Sequence, residues 1–164
     1  MIRRINDAFF DELAQKASQS PRKRSHHNFH KQHGEPVQRL CIALDRGTYV
    51  RPHKHPEANK WELMLVLRGA VELLIFSRSG EVLSRLHLSS DGPERGVEIR
   101  NNTWHTVFPL EDGSVIIEAK EGPYAPVSPD SFAHWAPEEG SDEVAAFLEW
   151  AGRAKPGDRY RKTA

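Results

Sequence analysis

Ile5, Phe9, Leu13 and Ala17 recur at every fourth position. That spacing lays an apolar stripe along one side of a helix. Asn6 or Asp7 can cap its start, and Ser20-Pro21 can stop it. The helix is expected to lie over the domain as a lid. Residues 22–36, RKRSHHNFHKQHGEP, are polar and basic. Within them Arg22, Arg24, His26, Asn28 and His30 alternate, so an extended chain would show all five on one face. Such a face suits an anionic ligand, or is simply a solvated edge. From residue 37 the period becomes that of strands. VQRLCIAL, GTYVRPH, WELMLVL, AVELLIF, EVLSRLHL, GVEIR, WHTVFPL and SVIIEAK are short apolar or alternating runs. Ser79-Gly80 and Asp112-Gly113 read as tight turns between neighbours. The series predicts a mainly β chain, an antiparallel sandwich or barrel. After Lys120 the proline-rich stretch EGPYAPVSPDSFAHWAPEEGS reads as irregular. A second, short helix is expected from Asp142 to about Ala151, with Ser141 as cap and Val144, Phe147, Leu148 and Ala151 as its apolar face. The tail KPGDRYRKTA reads as disordered.

These elements make one structural domain in three parts. Residues 1–36 form a helix and polar extension packed on the barrel, 37–125 the barrel, and 126–164 an irregular segment, a short helix and a flexible tail. Charge changes the picture little. Lys plus Arg and Asp plus Glu are 23 each, so no global field favours nucleic acid or an anionic membrane, and neither is expected as a partner. The single cysteine, Cys41, lies in the apolar run LCIAL and reads as a small buried hydrophobe. With no disulfide available within the chain, a reducing compartment is the simple reading. No apolar run approaches the roughly 18 residues of a membrane span. The first residues lack an apolar signal region and soon gain Asp7, Asp11 and Glu12. A cytoplasmic protein is expected.

The chemistry concentrates in His53-Lys54-His55-Pro56-Glu57-Ala58-Asn59-Lys60-Trp61-Glu62. Residues i and i+2 of an extended chain share a face, so His53 and His55 can present two imidazoles to one transition metal. The same alternation turns Tyr49 and Arg51 toward a shared cavity. His105, in the strand-like run NTWHTV, can be brought alongside by a barrel. Two glutamates compete to complete the site. Glu57 follows Pro56 on a loop, whereas Glu62 begins a strand and is better aimed. If Asp112-Gly113 closes a two-residue hairpin, Val107 faces Glu118 and His105 faces Lys120. Glu118 and Lys120 then look inward as an acid–base pair, or stand as a structural ion pair. His26, His27, His33, His87 and His134 read as ordinary, while His30 can line the cavity.

Gly47-x5-His53-x-His55 followed by Glu62-x6-Gly69 resembles the first sequence motif of the cupin superfamily. GVEIRNNTWH, ending at His105, resembles the second. The order and spacing of SPRKRSHHNFH, VQRLCIAL, GTYVRPHKHP, KWELMLVLRGAVELLIF, VEIRNNTWHT and KEGPYAP resemble the WbuC-type cupin family over nearly the whole chain. The resemblance implies a cupin, a jelly-roll-like antiparallel β-barrel or sandwich. It implies one divalent transition metal (Fe, Ni, Mn, Co, Cu or Zn) on His53, His55, Glu62 and His105. It implies relatives among bacterial cell-surface polysaccharide genes, and edge-to-edge pairing into a homodimer. It supplies no reaction. Two departures matter. The spacer PEANKW between His55 and Glu62 is longer than usual and must bulge. RNN at 100–102 stands where Pro-x-Gly is usual, so an asparagine must take the left-handed turn.

A nitrogen-rich metal with open positions can polarise a carbonyl or hydroxyl oxygen, or bind dioxygen as Fe(II). The first expectation is isomerase- or epimerase-like chemistry on a small polar ligand, anionic or sugar-derived. Arg24, Asn28 and His30 would bind it, and Tyr49, Arg51, Glu118 and Lys120 would carry the reaction. An Fe(II) dioxygenase, a non-catalytic binding or sensing module, and a barrel merely stapled by its metal stand as alternatives.

Overall fold

A computed structural model of the chain describes residues 2–58 and 60–161. Helix α1 (Asp7–Gln19) is followed by eight strands: β1 (Arg24–Asn28), β2 (Val37–Leu44), β3 (Glu62–Arg68), β4 (Ala70–Phe76), β5 (Val82–Ser89), β6 (Gly96–Ile99), β7 (Trp104–Pro109) and β8 (Ser114–Glu121). Helix α2 (Val144–Arg153) comes last. The strands form two antiparallel sheets, one in the order β1-β2-β8-β3-β6 and the other β5-β4-β7. Alternation along the strands divides their side chains. Leu40, Ile42, Leu44, Met64 and Ile116 of the larger sheet meet Val71, Leu73, Leu88 and Val107 of the smaller one to build the inner core.

The helices cover the outer faces. The Asn6 side chain accepts the Phe9 N–H and caps α1, as expected. Phe10, Leu13 and Ala17 pack on Cys41, Ala43 and Val115. Cys41 and Ala43 point opposite to Leu40, Ile42 and Leu44, so α1 is a backing for the larger sheet and not a lid over its inner face. Phe147 and Ala151 of α2 pack on Leu74, Phe76 and Phe108, backing the smaller sheet. The tail departs from expectation. Tyr160 is buried against Phe147 and Trp150, and the Val82 N–H donates to the Asp158 carbonyl. The tail is thus placed against the domain by Tyr160 and by its bonds to Val82; residues 162–164 lie outside the described residues.

Two other expectations are corrected. GTYVRPH is no strand: Pro52 has no N–H to give a ladder. The segment is extended but makes only single-residue bridges, from His53 to His105 and to Phe132. The count of eight strands is made up by β1, whose polar sequence pairs with β2 from Arg24↔Leu44 to Asn28↔Leu40. Ser79-Gly80 does turn a hairpin, since β4 pairs with β5. Asp112-Gly113 does not, because β7 pairs with β4 while β8 pairs with β2 and β3. That turn carries the chain from one sheet to the other, and side chains hold the corner: Asp45 accepts the Gly113 N–H and Asp112 accepts the Arg46 N–H, both at 2.8 Å.

Candidate metal centre and its cavity

His53 and His105 exchange backbone hydrogen bonds, N to O at 3.0 and 2.9 Å. This bridge joins the 49–55 segment to β7 and sets the two rings side by side, with centroids 4.5 Å apart. His55 completes the group, its ring 5.2 Å from that of His53. One ligand nitrogen from each of His53, His55 and His105 lies within 4.8 Å of the others, so the three can hold a metal ion. The backbone also fixes their tautomers. Nδ1 of His53 donates to the Arg51 carbonyl, and Nδ1 of His105 to the Thr103 carbonyl, each at 2.9 Å. A carbonyl only accepts, so in both rings Nε2 keeps a free lone pair. Burial, then the neighbouring His105, holds His53 down to about 3, and burial holds His105 below the usual range. Both rings are therefore neutral at neutral pH, the form that binds a metal.

Glu62 begins β3 and is 3% exposed. Its Oε2 stands 3.2 Å from Nε2 of His55, yet neither buried atom makes a hydrogen bond. Two polar atoms buried without a hydrogen bond are costly unless something else satisfies them. A cation held by both satisfies them, and a donor set of imidazoles and one carboxylate suits a divalent transition metal. Burial opposes charge on Glu62, but Lys120 and His55 outweigh it and hold the carboxyl well below the usual range. Glu57 is exposed on the loop after Pro56. The left-handed residue of the RNN turn is Asn102, at φ 59°, and its N–H donates to the His55 carbonyl at 2.7 Å.

His53 and His105 of the triad, with Glu62, border a cavity of about 470 Å³ between the sheets. Its wall on β1 is polar: Arg24, His26, Asn28 and His30 all line it, as the alternation required. His26, read as ordinary in the sequence, belongs to that wall. The floor is apolar, with Leu40, Ile42, Met64, Val107 and Ile116. Glu118 and Lys120 also face inward, though not through the expected hairpin. Ile116, Glu118 and Lys120 share the inner face of β8, and the β3 register sets Glu62 beside Lys120 and Met64 beside Glu118. Lys120 Nζ donates to Glu118 Oε2 at 3.1 Å and lies 4.0 Å from Glu62 Oε2. Burial, reinforced by the Glu62 charge, pushes Glu118 up to about 7. Burial works against the Lys120 charge, but Glu118 and Glu62 prevail and hold its pKa above the usual amine range.

The remaining sequence-picked residues divide. Arg51 lines the cavity, its guanidinium 5.3 Å from the Phe132 ring centroid. Tyr49 does not line it. Its hydroxyl donates to the Pro137 carbonyl at 2.8 Å and its ring packs on Phe147, inside the core beneath α2. Strict alternation fails there because residues 49–53 are not a strand. Arg24 touches the cavity but is engaged, donating to the Tyr49 carbonyl at 2.8 Å and to Glu139 at 2.8 Å. Sequence reasoning missed Gln38, Tyr124, Phe132 and Glu139, all on the cavity wall. Gln38 had a signal, as the polar residue in phase with Leu40 and Ile42. The others come from the proline-rich segment, whose path no periodicity reveals.

Two antiparallel sheets around a cavity, with imidazoles and a buried glutamate at one end, define a cupin-fold protein with a site able to hold a metal. More particularly, the chain belongs to the family described as a domain of unknown function (DUF6016), whose family model matches residues 5–88. Among solved structures it is similar to a conserved protein of unknown function from Streptococcus pyogenes, with 12% identity and a TM-score of 0.51 over 76% of this chain and 92% of that one. It is also similar to the capsular polysaccharide assembling protein CapF from Staphylococcus aureus, with 23% identity and a TM-score of 0.54. That match covers 66% of this chain but only 31% of CapF. A cupin superfamily protein from Desulfitobacterium hafniense matches at 12% identity and a TM-score of 0.47, over 60% of this chain and 76% of that one. The first two likenesses are likenesses of fold. No curated protein matches the chain. Among the described residues no helix is long and apolar enough to cross a membrane.

Proposed function

We propose that the chain is a metal-dependent enzyme acting on a small polar, sugar-derived substrate by isomerase- or epimerase-like proton transfer. One observation carries this reading. The Glu118–Lys120 pair, 3.1 Å apart, faces the same cavity that His53, His105 and Glu62 border. Held by His53, His55, Glu62 and His105, a divalent ion supplies Lewis-acid polarisation of a substrate oxygen. The chain's own groups do the rest. Glu118 is placed to take a proton from a substrate carbon and return it. Lys120, between Glu118 and Glu62, holds the carboxylate in place and offsets its charge. The apolar floor keeps bulk water from the reacting atoms. The order of motifs shared with WbuC-type cupins, and the fold shared with a capsular polysaccharide assembling protein, support a sugar-derived substrate by association.

The test is carbon-bound hydrogen exchange. Metal-loaded protein is incubated in D2O with hexoses, hexuronates and sugar phosphates, and the sugars are analysed by mass spectrometry. Deuterium should enter at carbon, and Glu118→Gln should abolish its entry. Saturable binding of a sugar with no exchange would instead make the chain a non-catalytic binding module.

A further inference from the structure

The cavity wall carries four permanent cations, and three of them are already matched. Arg22 and Arg24 both pair with Glu139, at 2.7 and 2.8 Å. Lys120 pairs with Glu118 and lies near Glu62. Among the described residues Arg51 has no carboxylate partner. Among the described residues the guanidinium's one hydrogen bond runs from Nη2 to the Ala133 carbonyl at 3.2 Å, and its buried Nε–H has no acceptor. The guanidinium nevertheless has a fixed seat, over the Phe132 ring and on the Ala133 carbonyl. It is also tied to the triad, because the Arg51 carbonyl accepts the His53 Nδ1–H.

Summed formally, Arg22, Arg24, Arg51 and Lys120 outweigh Glu62, Glu118 and Glu139 by one positive charge. A divalent ion on the triad raises the excess. A cavity with low-dielectric walls and such an excess favours an anion. A guanidinium fork with open donors recognises planar or tetrahedral oxyanions better than any other side chain.

On this ground, and resting on the reading of the cavity as the ligand site, we propose that Arg51 is the anion anchor and that the substrate is a hydroxylated oxyanion, a sugar acid or a sugar phosphate. Arg51 positions the charged end of the ligand, and the hydroxylated end lies toward the triad. Arg24 is excluded from this role by its bonds to Glu139 and the Tyr49 carbonyl. Its work is to tie the 137–141 segment to β1.

Three probes test this by calorimetry on metal-loaded protein: gluconate, glucose 6-phosphate and uncharged sorbitol. Metal content is measured in every sample. Wild type should bind at least one anion about tenfold or more tighter than sorbitol. Arg51→Met keeps an apolar stem over Phe132 and should erase that preference while metal content stays unchanged. Arg51→Lys should restore part of it. The carboxylate and phosphate arms decide which oxyanion is preferred. Equal affinity for all three probes in wild type, or a preference that survives Arg51→Met, would overturn the proposal. Absence of metal with the Arg51-dependent preference intact would sink the enzyme reading alone.

Discussion

Cys41 has no exposed surface, and burial pushes its thiol from about 9 up to about 11. Between those values the unfolded chain releases a proton that the folded chain keeps. Stability is therefore whole below pH 9 and falls as pH rises toward 11, by roughly 2–3 kcal/mol. Urea unfolding at pH 8 and pH 10 should show about half of this loss, absent in Cys41→Ala; parallel profiles for the two proteins would contradict the assignment. Tyr49 gives a second residue-scale prediction. Its hydroxyl has a structural partner at Pro137, so Tyr49→Phe should cost about 1 kcal/mol of stability and leave metal content and ligand affinity unchanged. A large loss of affinity with stability intact would restore Tyr49 to the site. Much at this scale was legible in the sequence. The β1 wall followed from alternation, Asn102 took the left-handed turn, and Glu62 lies buried at the start of β3 while Glu57 is exposed. Tyr49 was misplaced because alternation was extended over Pro52, where no ladder enforces it.

At the scale of elements, periodicity located α1, α2 and seven of the strands, since each buries one face and the sequence must show it. It could not say which strands pair. Gly69 and Gly113 both take positive φ and resemble hairpin turns in sequence, but each is a corner that moves the chain between sheets. The Glu118 and Lys120 orientation was nonetheless right, because parity along β8 does not depend on its partner. A Cβ at Gly69 would stand 2.7 Å from Ser114 Oγ, on backbone that disfavours a side chain. Gly69→Val should therefore destabilise by more than 1 kcal/mol, read as a lower urea midpoint with unchanged slope. The tail is an element too. Deleting residues 155–164 removes Tyr160 from the aromatic cluster on α2 and should lower the melting temperature by several degrees. A truncated chain as stable as the full one would return the tail to the disordered class.

The whole molecule is two sheets that meet at the candidate metal centre. Glu62 belongs to the larger sheet, His105 to the smaller, and His53 and His55 to the segment bridged to β7. An ion there links both sheets, so binding and stability are coupled. Chelator treatment should lower the melting temperature and added divalent metal restore it, by an amount that grows with metal concentration. The most direct measurement is metal content by elemental mass spectrometry, on untagged protein, for wild type and for His53→Ala, Glu57→Ala, Glu62→Ala and His105→Ala. The account predicts near-stoichiometric transition metal in wild type and Glu57→Ala, and its loss in the other three. Wild-type protein that takes up no metal, even after anaerobic reconstitution with Fe(II), would contradict it.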